Sequence, residues 1–297
     1  MSAAAPLEPF DRHRRLLFTV AYQMLGSVAD AEDVVQDAWL RWSSADRSDV
    51  EDGRAYLVTI TSRLALDRLG SARARREAYV GPWLPEPLLT DGGPEDAAEL
   101  GEQVSLALLV VLETLSPVER AVFVLREVFG LPVAEVAAAL DRSEAAVRQL
   151  AHRAREHVEA RRPRFDADRR AQREVTERFL AAAIGGDVQS LLAAMSPGVV
   201  LVSDGGGKVK AARRPIEGAD KVARFLAAIG PLGAELPGLR VEVADVNGAP
   251  AVVARTDEGP FMTLQLVLVD GLVQQVFYVG NPDKLRGIAG AGVGGAT

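Results

Sequence analysis

The segment between residues 142 and 155 carries side chains whose types and spacing suit contact with DNA. The candidates are Arg142, Ser143, Glu144, Arg148, His152, Arg153 and Arg155. An arginine can donate two hydrogen bonds to guanine, a glutamate can accept one from cytosine N4, and hydroxyl and backbone N–H groups bind phosphates. The histidine suits a phosphate or solvent contact better than a metal. A helical bundle whose basic face is merely solvated is the alternative interpretation.

The flanking sequence predicts the elements that would position these side chains. Ser116-Pro-Val-Glu119 combines a capping box with proline at the first helical position. Pro132 starts a short helix, a turn follows at Asp141-Arg142, and Ser143 caps a final helix with Val147, Leu150, Ala151 and Ala154 inward. Two helices joined by such a turn form a helix-turn-helix, whose second helix enters the major groove with its N-terminal end toward the bases.

A second candidate surface is acidic and lies on a predicted helix from Asp30, as N-cap, to Trp42. Its apolar stripe is formed by Val34, Val35, Ala38, Trp39 and Trp42. Its polar candidates for binding a partner are Asp30, Glu32, Asp33, Gln36 and Asp37. Phosphates repel an acidic face, so this helix predicts a second macromolecular partner besides DNA.

A third candidate surface is the arginine-rich helix predicted over residues 54–78. Its candidate phosphate contacts are Arg63, Arg68, Arg73, Arg75 and Arg76. Arginines follow phosphates, and Tyr56 and Tyr79 near the helix ends could stack on an unpaired base. A solvated cationic face explains the pattern as well.

Charge is segregated along the chain, whose net charge is −7. Residues 30–52 hold eight acids and two arginines, and residues 54–76 hold six arginines and one acid. Residues 86–119 hold eight acids and no base, and residues 142–164 hold seven arginines and three acids. Alternating blocks predict distinct surfaces for distinct partners, so the negative average does not exclude nucleic acid.

Composition removes several other classes of function. The chain has no cysteine, which excludes disulfides, thiolate metal sites and a cysteine nucleophile. Its three histidines are scattered, so we expect neither a metal site nor a cofactor. The first residues lack the apolar stretch of a signal peptide, and no apolar run reaches membrane-spanning length. We expect a cytoplasmic protein that does not associate with a membrane.

At 297 residues the chain has room for two or three domains. We expect a helical domain at 8–78, a Pro/Gly-rich acidic linker at 79–103, a second helical domain at 104–162, a third domain at 170–285 and a flexible tail at 286–297. In the third domain helices come first and strands follow. Asn247-Gly248 and Asp270-Gly271 lie between β-forming residues and predict two hairpins.

The motifs and their order resemble bacterial extracytoplasmic-function sigma factors over roughly the first 160 residues. Phe10–Trp42, with Tyr22-Gln-Met-Leu-Gly26, is similar to their region 2, and Leu115–Arg155 is similar to their region 4. The resemblance implies that the acidic helix docks on the β′ coiled coil of core RNA polymerase, which would also offer its β flap. It implies that residues 45–76 melt and read the −10 element of promoter DNA and that residues 142–155 read the −35 element.

The third domain resembles the SnoaL-like, cone-shaped α+β fold shared with nuclear transport factor 2 and certain polyketide cyclases. The implied fold is two all-α domains followed by an α+β cone with a curved antiparallel sheet. Candidate regulatory contacts between linker and cone are Trp83, Leu84, Pro85, Glu86, Pro87, Asp204, Gly205, Gly206, Gly207, Lys208, Asn281, Pro282, Asp283, Lys284 and Leu285. Lys208 could pair with Glu86. Alternatively, residues 204–208 form only a hairpin turn.

We therefore expect an alternative sigma factor whose C-terminal domain regulates it in cis, and not an enzyme. The third domain contains no histidine, and nothing in its sequence indicates a buried carboxylate for proton transfer. One alternative is a one-component DNA-binding regulator whose cone senses a small ligand. Another is a cyclase or isomerase fused to a DNA-binding module. Neither alternative needs the acidic helix, and the sequence leaves open whether the cone holds a ligand.

Overall fold

The computed structural model describes residues 7–45, 50, 52–90, 105–161, 168–231 and 236–291, without the side chains of residues 7–9, 73, 74 and 289–291. These residues form two compact units. The N-terminal unit contains residues up to 78 and residues 108–161, and the C-terminal unit contains residues 79–90, 105–107 and 168–291. The segment predicted as a linker is therefore divided. Its first part belongs to the C-terminal unit, and residues 91–103 lie outside the described residues.

The helices of the first half are α1 (Leu7–Leu25), α2 (Val28–Ser44), α3 (Gly53–Glu77), α4 (Leu106–Leu112), α5 (Pro117–Phe123), α6 (Val133–Leu140) and α7 (Glu144–Arg161). A π-helical turn, Val124–Val128, continues α5. Apolar residues at helical spacing bury Leu17, Val34 and Leu57 completely. The core of the N-terminal unit thus lies where α1, α2 and α3 meet, and α3 also packs against α6.

Local capping sets where these helices begin. The capping box predicted at Ser116 and Glu119 is present, and Ser143 Oγ accepts a hydrogen bond from Ala146 N at 3.2 Å. The prediction that Asp30 caps α2 is wrong. Ser27 is the N-cap, and its hydroxyl accepts a hydrogen bond from Asp30 N at 3.2 Å. Asp30 therefore lies in the first turn, where its carboxylate interacts favourably with the positive end of the helix dipole.

The C-terminal unit combines α8 (Arg169–Gly185), α9 (Val188–Ala194) and α10 (Ala219–Ile229) with β1 (Met195–Asp204), β2 (Ile216–Glu217), β3 (Arg240–Val246), β4 (Ala249–Thr256), β5 (Gly259–Val269) and β6 (Leu272–Val279). The strand order is β2-β1-β6-β5-β4-β3. All neighbours are antiparallel except β1 and β6, so the sheet is mixed rather than purely antiparallel as expected. Phe179, Leu191 and Leu226 bring the three helices into one core with the sheet.

Both predicted hairpins are present. Asn247 and Gly248 have φ of 49° and 73°, and Asp270 and Gly271 have φ of 51° and 75°. Two successive positive φ values match the twist of the flanking strands, which is why Asn-Gly and Asp-Gly favour this turn. These turns join β3 to β4 and β5 to β6.

The chain continues after β6 into two 3₁₀ turns, Pro282–Lys284 and Arg286–Ala291. Ile288 is fully buried, so the first half of the expected flexible tail is part of the fold, while residues 292–297 lie outside the described residues. Across the described residues, no helix combines the length and apolar character needed to cross a bilayer.

Candidate functional site

The acidic face of α2 and the basic side of α3 pair with each other. Arg68 contacts Asp33 at 2.8 Å, Asp37 at 3.2 Å and Asp30 at 3.6 Å. Arg75 contacts Asp30 at 2.8 Å. The hydrogen bond to Asp33 is the main cause that raises the pKa of Arg68. At these residues the two charge blocks form one surface, so the expectation of separate acidic and basic faces is wrong here.

The acids of α2 nevertheless stay accessible. The side chains of Asp33 and Asp37 are 61% and 44% exposed, and Gln36 is exposed. Glu32 pairs with Arg14 at 2.7 Å, and both side chains are about half exposed. Exposed ion pairs contribute about 0–1 kcal/mol, so a partner protein can replace them at little cost.

Two arginines predicted to contact phosphates bind within the N-terminal unit instead. Arg63 donates from Nε to Ala139 O at 2.8 Å and from Nη2 to Ala138 O at 2.7 Å, at the C-terminal end of α6. Arg76 donates to Leu25 O at the end of α1 and pairs with Glu113. Carbonyls at a helix C-terminus lack intrahelical partners and attract cations. The side chain of Arg73 lies outside the described residues.

Arg76 belongs to a buried charge cluster that sequence reasoning missed. Glu113 accepts from both Arg76 and Arg120, and Arg120 also donates to Gln23 O at 3.2 and 3.3 Å. The Arg120 side chain is 2% exposed, and burial lowers the pKa of Arg76 to about 10. The available signal was Arg120 itself, a lone cation next to the apolar run that follows it in α5. The cluster joins α1 and α3 to α5.

The predicted recognition helix α7 presents its polar residues to solvent. Arg142, Ser143, Glu144, Arg148, His152, Arg153 and Arg155 are all exposed. Their ion pairs are local: Arg148 with Glu144 at 3.0 Å, Arg155 with Glu127 at 2.7 Å and Arg153 with Glu119 at 3.7 Å. Asp141, with φ of 53°, provides the left-handed residue that ends α6 and forms the turn between the two helices.

The C-terminal unit contains a second buried charge site, where residues 79–84 meet the ends of β1 and β6. Asp204 is fully buried. Its Oδ1 accepts from Tyr79 Oη at 2.6 Å and Gly206 N at 3.1 Å, and its Oδ2 accepts from Leu84 N at 2.9 Å and Lys284 Nζ at 2.7 Å. We call these residues the linker clamp: Tyr79, Leu84, Asp204, Asn281 and Lys284.

Aromatic rings complete the environment of the lysine. Lys284 Nζ donates to Leu84 O at 2.5 Å and lies 3.9 Å from the centre of the Trp83 ring and 4.7 Å from that of Tyr79. Asn281 donates to Tyr79 Oη at 2.7 Å. Burial, followed by the hydrogen bond to Asp204, raises the pKa of Tyr79. The phenol therefore stays protonated and donates a hydrogen bond to the Asp204 carboxylate.

The rest of the segment pairs with the edge strand β3. Leu89 forms a bridge with Val246, and Leu88 exchanges hydrogen bonds with Asn247 at 2.8 and 3.2 Å. Thr90 N donates to Asp245 O at 2.9 Å. Leu84, Pro85, Glu86 and Pro87 are buried. Residues 84–90 are therefore an integrated part of the C-terminal unit.

The structure thus brings together most of the predicted regulatory residues. Gly206 lies against Asn281, since an added Cβ would be 2.3 Å from Asn281 Nδ2. Leu285 is buried, and Pro282 and Asp283 are exposed. The suggested pairing of Lys208 with Glu86 is wrong, because Lys208 pairs with Asp283 at 2.6 Å. Neither the role of Tyr79 nor the burial of Asp204 follows from the sequence, since Asp204 ends β1 yet is fully buried.

Comparison with known proteins agrees with this architecture. Residues 10–75 match Sigma-70 region 2, and residues 105–158 match Sigma-70 region 4. The ECF RNA polymerase sigma factor SigJ of Mycobacterium tuberculosis (strain ATCC 25618 / H37Rv) is 42% identical, over 94% of this chain and 92% of that protein. A probable ECF RNA polymerase sigma factor SigI of Mycobacterium tuberculosis is 34% identical, over 94% and 96%.

A solved structure extends the likeness to the fold. The crystal structure of the Mycobacterium tuberculosis sigma factor SigJ superposes with a TM-score of 0.76 at 38% identity, covering 95% of this chain and 98% of that one. The predicted class, two helical domains followed by an α+β domain, is confirmed. The chain belongs to the extracytoplasmic-function family of RNA polymerase sigma factors, and is therefore an alternative sigma factor that directs transcription initiation.

Proposed function

We propose that the C-terminal domain regulates this sigma factor in cis by holding the segment that joins its two promoter-reading regions. The observation that carries the proposal is the linker clamp. The fully buried Asp204 binds Tyr79, Leu84 N and Lys284, two of which belong to that segment. Removing one partner from such a buried pair costs about 3–5 kcal/mol, whereas an exposed pair contributes about 0–1 kcal/mol, so the bound linker depends strongly on this site.

The distance between the two promoter elements is the reason why holding the linker would affect initiation. Elements centred near −10 and −35 lie about 25 base pairs apart, or roughly 85 Å at 3.4 Å per base pair. In the N-terminal unit α3 packs against α6, so regions 2 and 4 lie together. They must separate to contact both elements. Release of residues 79–90 would add up to roughly 40 Å of extended chain at about 3.3 Å per residue.

Run-off transcription with core polymerase and the full chain tests this proposal. Asp204→Asn and Lys284→Gln weaken the clamp, and we expect both to raise transcription and to broaden the range of −10 to −35 spacings that the protein accepts. Asp283→Asn is the matched control, because Asp283 lies beside the clamp in an exposed pair with Lys208. Unchanged spacing preference in both clamp variants would contradict regulation through the linker.

We further propose that Asp30, Glu32, Asp33, Gln36 and Asp37 on α2 form the surface that binds the β′ coiled coil, with the β flap meeting region 4. Support comes from the exposure of Asp33 and Asp37 and from the weakness of their pairs with Arg68. The double variant Asp33→Lys/Asp37→Lys should fold but lose co-purification with core polymerase. Glu217→Lys/Asp220→Lys, on exposed acids of the C-terminal unit, is the control with equal charge change.

We assign promoter contact to the exposed side of α7, with Arg142, Ser143, Glu144, Arg148, His152, Arg153 and Arg155 at the −35 element. Arg148 is engaged only by an exposed pair with Glu144 among the described residues, which leaves it available for a base. On α3 the candidates for the −10 element are Arg63, Arg68, Arg73, Arg75 and Arg76. Arg63 is held by carbonyls at the end of α6, and Arg76 pairs with Glu113, so separation of regions 2 and 4 would free both from region 4 for use on DNA.

The geometry favours linker binding over catalysis in the C-terminal unit. A general acid or base needs a carboxylate that can exchange a proton with substrate. The buried carboxylate of Asp204 accepts four hydrogen bonds within the protein and pairs with Lys284. It is therefore committed to the clamp, which supports a role without enzymatic activity.

A further inference from the structure

A cavity of about 400 Å³ lies beside the linker clamp in the C-terminal unit. One wall is the linker at Val80, Gly81 and Pro82, and the other is the loop from Gly205 to Arg213. We propose that this cavity binds a phosphate-bearing small molecule of about nucleotide size. Neither the contacts of the clamp nor the promoter-reading surfaces involve this space.

The cavity wall has the chemistry of an anion site. Its charged side chains are Lys208, Lys210 and Arg213, and none of the described residues that line it is acidic. Gly81, Gly205 and Gly207 also line the cavity, and a Cβ added at each would lie within 4 Å of neighbouring protein atoms, so the lining there is tightly packed backbone. The three cations therefore give this wall its anion-binding character, because charged donors form strong hydrogen bonds with phosphate oxygens.

The cations are available to a ligand. Lys210 and Arg213 are exposed and form no ion pair with any described residue. Lys208 pairs with Asp283 at 2.6 Å, but both side chains are more than half exposed. A pair of this kind is weak, so a phosphate can compete with Asp283 for the lysine. The site therefore offers three positive charges in a chain whose net charge is −7.

The volume of the cavity and its charged lining indicate the class of ligand. Small-molecule sites typically enclose about 300–1,000 Å³, and this cavity falls within that range. An apolar ligand is disfavoured, because it would desolvate three cations without pairing them.

A ligand that contacts both walls would strengthen the clamp. Gly207 lies so close to Val80 that an added Cβ would be 3.3 Å from that side chain. Val80–Pro82 lead directly into Trp83 and Leu84, which contact Lys284. A ligand bound only when both walls are present stabilises the linker-bound state. This effect on transcription rests on the proposed function, whereas binding itself does not.

Isothermal titration of the full chain with pyrophosphate, at constant ionic strength, tests the site. We expect saturable binding that Lys210→Gln/Arg213→Gln weakens at least about tenfold, since two charged hydrogen-bond donors to the phosphates are lost. The control Arg214→Gln/Lys221→Gln removes the same charge from exposed residues of this unit that do not line the cavity. Its affinity should match that of the natural chain.

Fluorine NMR of the chain labelled with 5-fluorotryptophan locates the site independently. The tryptophans are Trp39, Trp42 and Trp83, and only Trp83 adjoins the cavity wall. Pyrophosphate should shift the Trp83 resonance and leave the other two in place. The proposal is overturned by absence of saturable binding, by equal losses in both double variants, by sulfate binding as tightly as pyrophosphate, or by a short DNA strand binding where pyrophosphate does not. None of these outcomes bears on the spacing preference in run-off transcription.

Discussion

Two buried charge sites among the described residues of this sigma factor solve the same physical problem differently. In the C-terminal unit, one carboxylate, Asp204, faces one ammonium group, Lys284, so the linker clamp has no net charge. In the N-terminal unit, Glu113 faces both Arg76 and Arg120, which leaves one positive charge in excess. Burying charge is costly unless it is paired and hydrogen-bonded.

The two sites offset the cost of buried charge with different groups. The clamp uses backbone N–H groups and the Tyr79 hydroxyl around the carboxylate, and aromatic rings around the ammonium group. The arginine cluster uses the carbonyls of Gln23 and Leu25 at the C-terminal end of α1, where the helix dipole is negative. The difference teaches that the balanced pair is held between a strand end and a 3₁₀ turn, whereas the cluster with excess positive charge draws on carbonyls at a helix C-terminus.

The largest loss of stability should follow removal of one charge from the buried pair of the clamp. Asp204→Asn leaves Lys284 buried beside a neutral amide, and removal of one partner from a buried pair costs about 3–5 kcal/mol. We expect that loss in the free energy of unfolding measured with urea. Amide hydrogen exchange should also quicken in residues 84–90, where Leu84 N bonds to Asp204 and Thr90 N bonds to β3.

The exposed pair Lys208–Asp283 provides the reference for that measurement, because it lies beside the clamp with both side chains more than half exposed. Asp283→Asn should change the free energy of unfolding by no more than about 1 kcal/mol. Equal losses in Asp204→Asn and Asp283→Asn would show that burial of the clamp does not strengthen it.

The arginine cluster should respond asymmetrically to removal of its partners. Glu113→Gln leaves two guanidinium groups without a carboxylate, and we expect a loss of about 3 kcal/mol in the free energy of unfolding. Arg120→Met keeps an apolar stem and leaves the neutral pair Arg76–Glu113. Its cost should be smaller, about 1–3 kcal/mol, from the unsatisfied Gln23 carbonyl. A greater loss in Arg120→Met would refute the view that excess charge limits this site.

Local sequence rules predicted much of the scaffold. Both turn dipeptides, the capping box at Ser116 and the cap at Ser143 depend on neighbouring residues alone, and all are present. The parallel pairing of β1 with β6 was not predicted, because their partner residues lie more than seventy positions apart, as with Ser203 and Tyr278. The cap of α2 was misplaced since Ser27 and Asp30 are both good caps, and packing decides between them.

The sequence indicated which residues form the candidate sites better than it indicated how those residues contact one another. Motifs singled out four residues of the clamp, namely Leu84, Asp204, Asn281 and Lys284. The pairing of Lys284 with Asp204 nevertheless spans 80 positions and follows from no local rule. Tyr79 had been considered for base stacking and proved to be a hydrogen-bond donor to Asp204. Arg76 looked like a phosphate contact, because charge alone does not reveal that a side chain faces a neighbouring helix.

A smaller loss of stability should follow when a side chain is introduced beside Asn281 of the clamp. At Gly206 φ is 59° and an added Cβ would lie 2.3 Å from Asn281 Nδ2, whereas at Gly271 φ is 75° and the space is open. Both alanine variants incur backbone strain of about 1–2 kcal/mol. Only Gly206→Ala should also displace Asn281 and speed hydrogen exchange in residues 79–84. Similar exchange in Gly206→Ala and Gly271→Ala would mean that Asn281 does not support the clamp.

The smallest effect concerns a charge that is only partly buried. The Ser116 hydroxyl donates to Glu119 Oε2 at 2.6 Å, and this bond is the main cause that holds the pKa of Glu119 below its ordinary value of 4.5. Because the pKa is lowered on folding, the stabilisation is present above pH 4.5 and is lost as pH falls through the folded pKa. Ser116→Ala should cost about 1 kcal/mol at pH 7.

Ser116→Ala should also weaken the fall in the free energy of unfolding at acid pH. Without the hydroxyl, the pKa of Glu119 in the folded chain lies closer to its ordinary value. Urea unfolding between pH 7 and pH 3 measures both effects, with Ser190→Ala as the control in another helix start. Asp187, the cap of α9, is fully exposed, and the Ser190 hydroxyl is likewise the main cause that lowers its pKa. If Ser190→Ala weakens that fall as much as Ser116→Ala does, partial burial of Glu119 contributes nothing, and the contrast between buried and exposed charge holds only for the two inner sites.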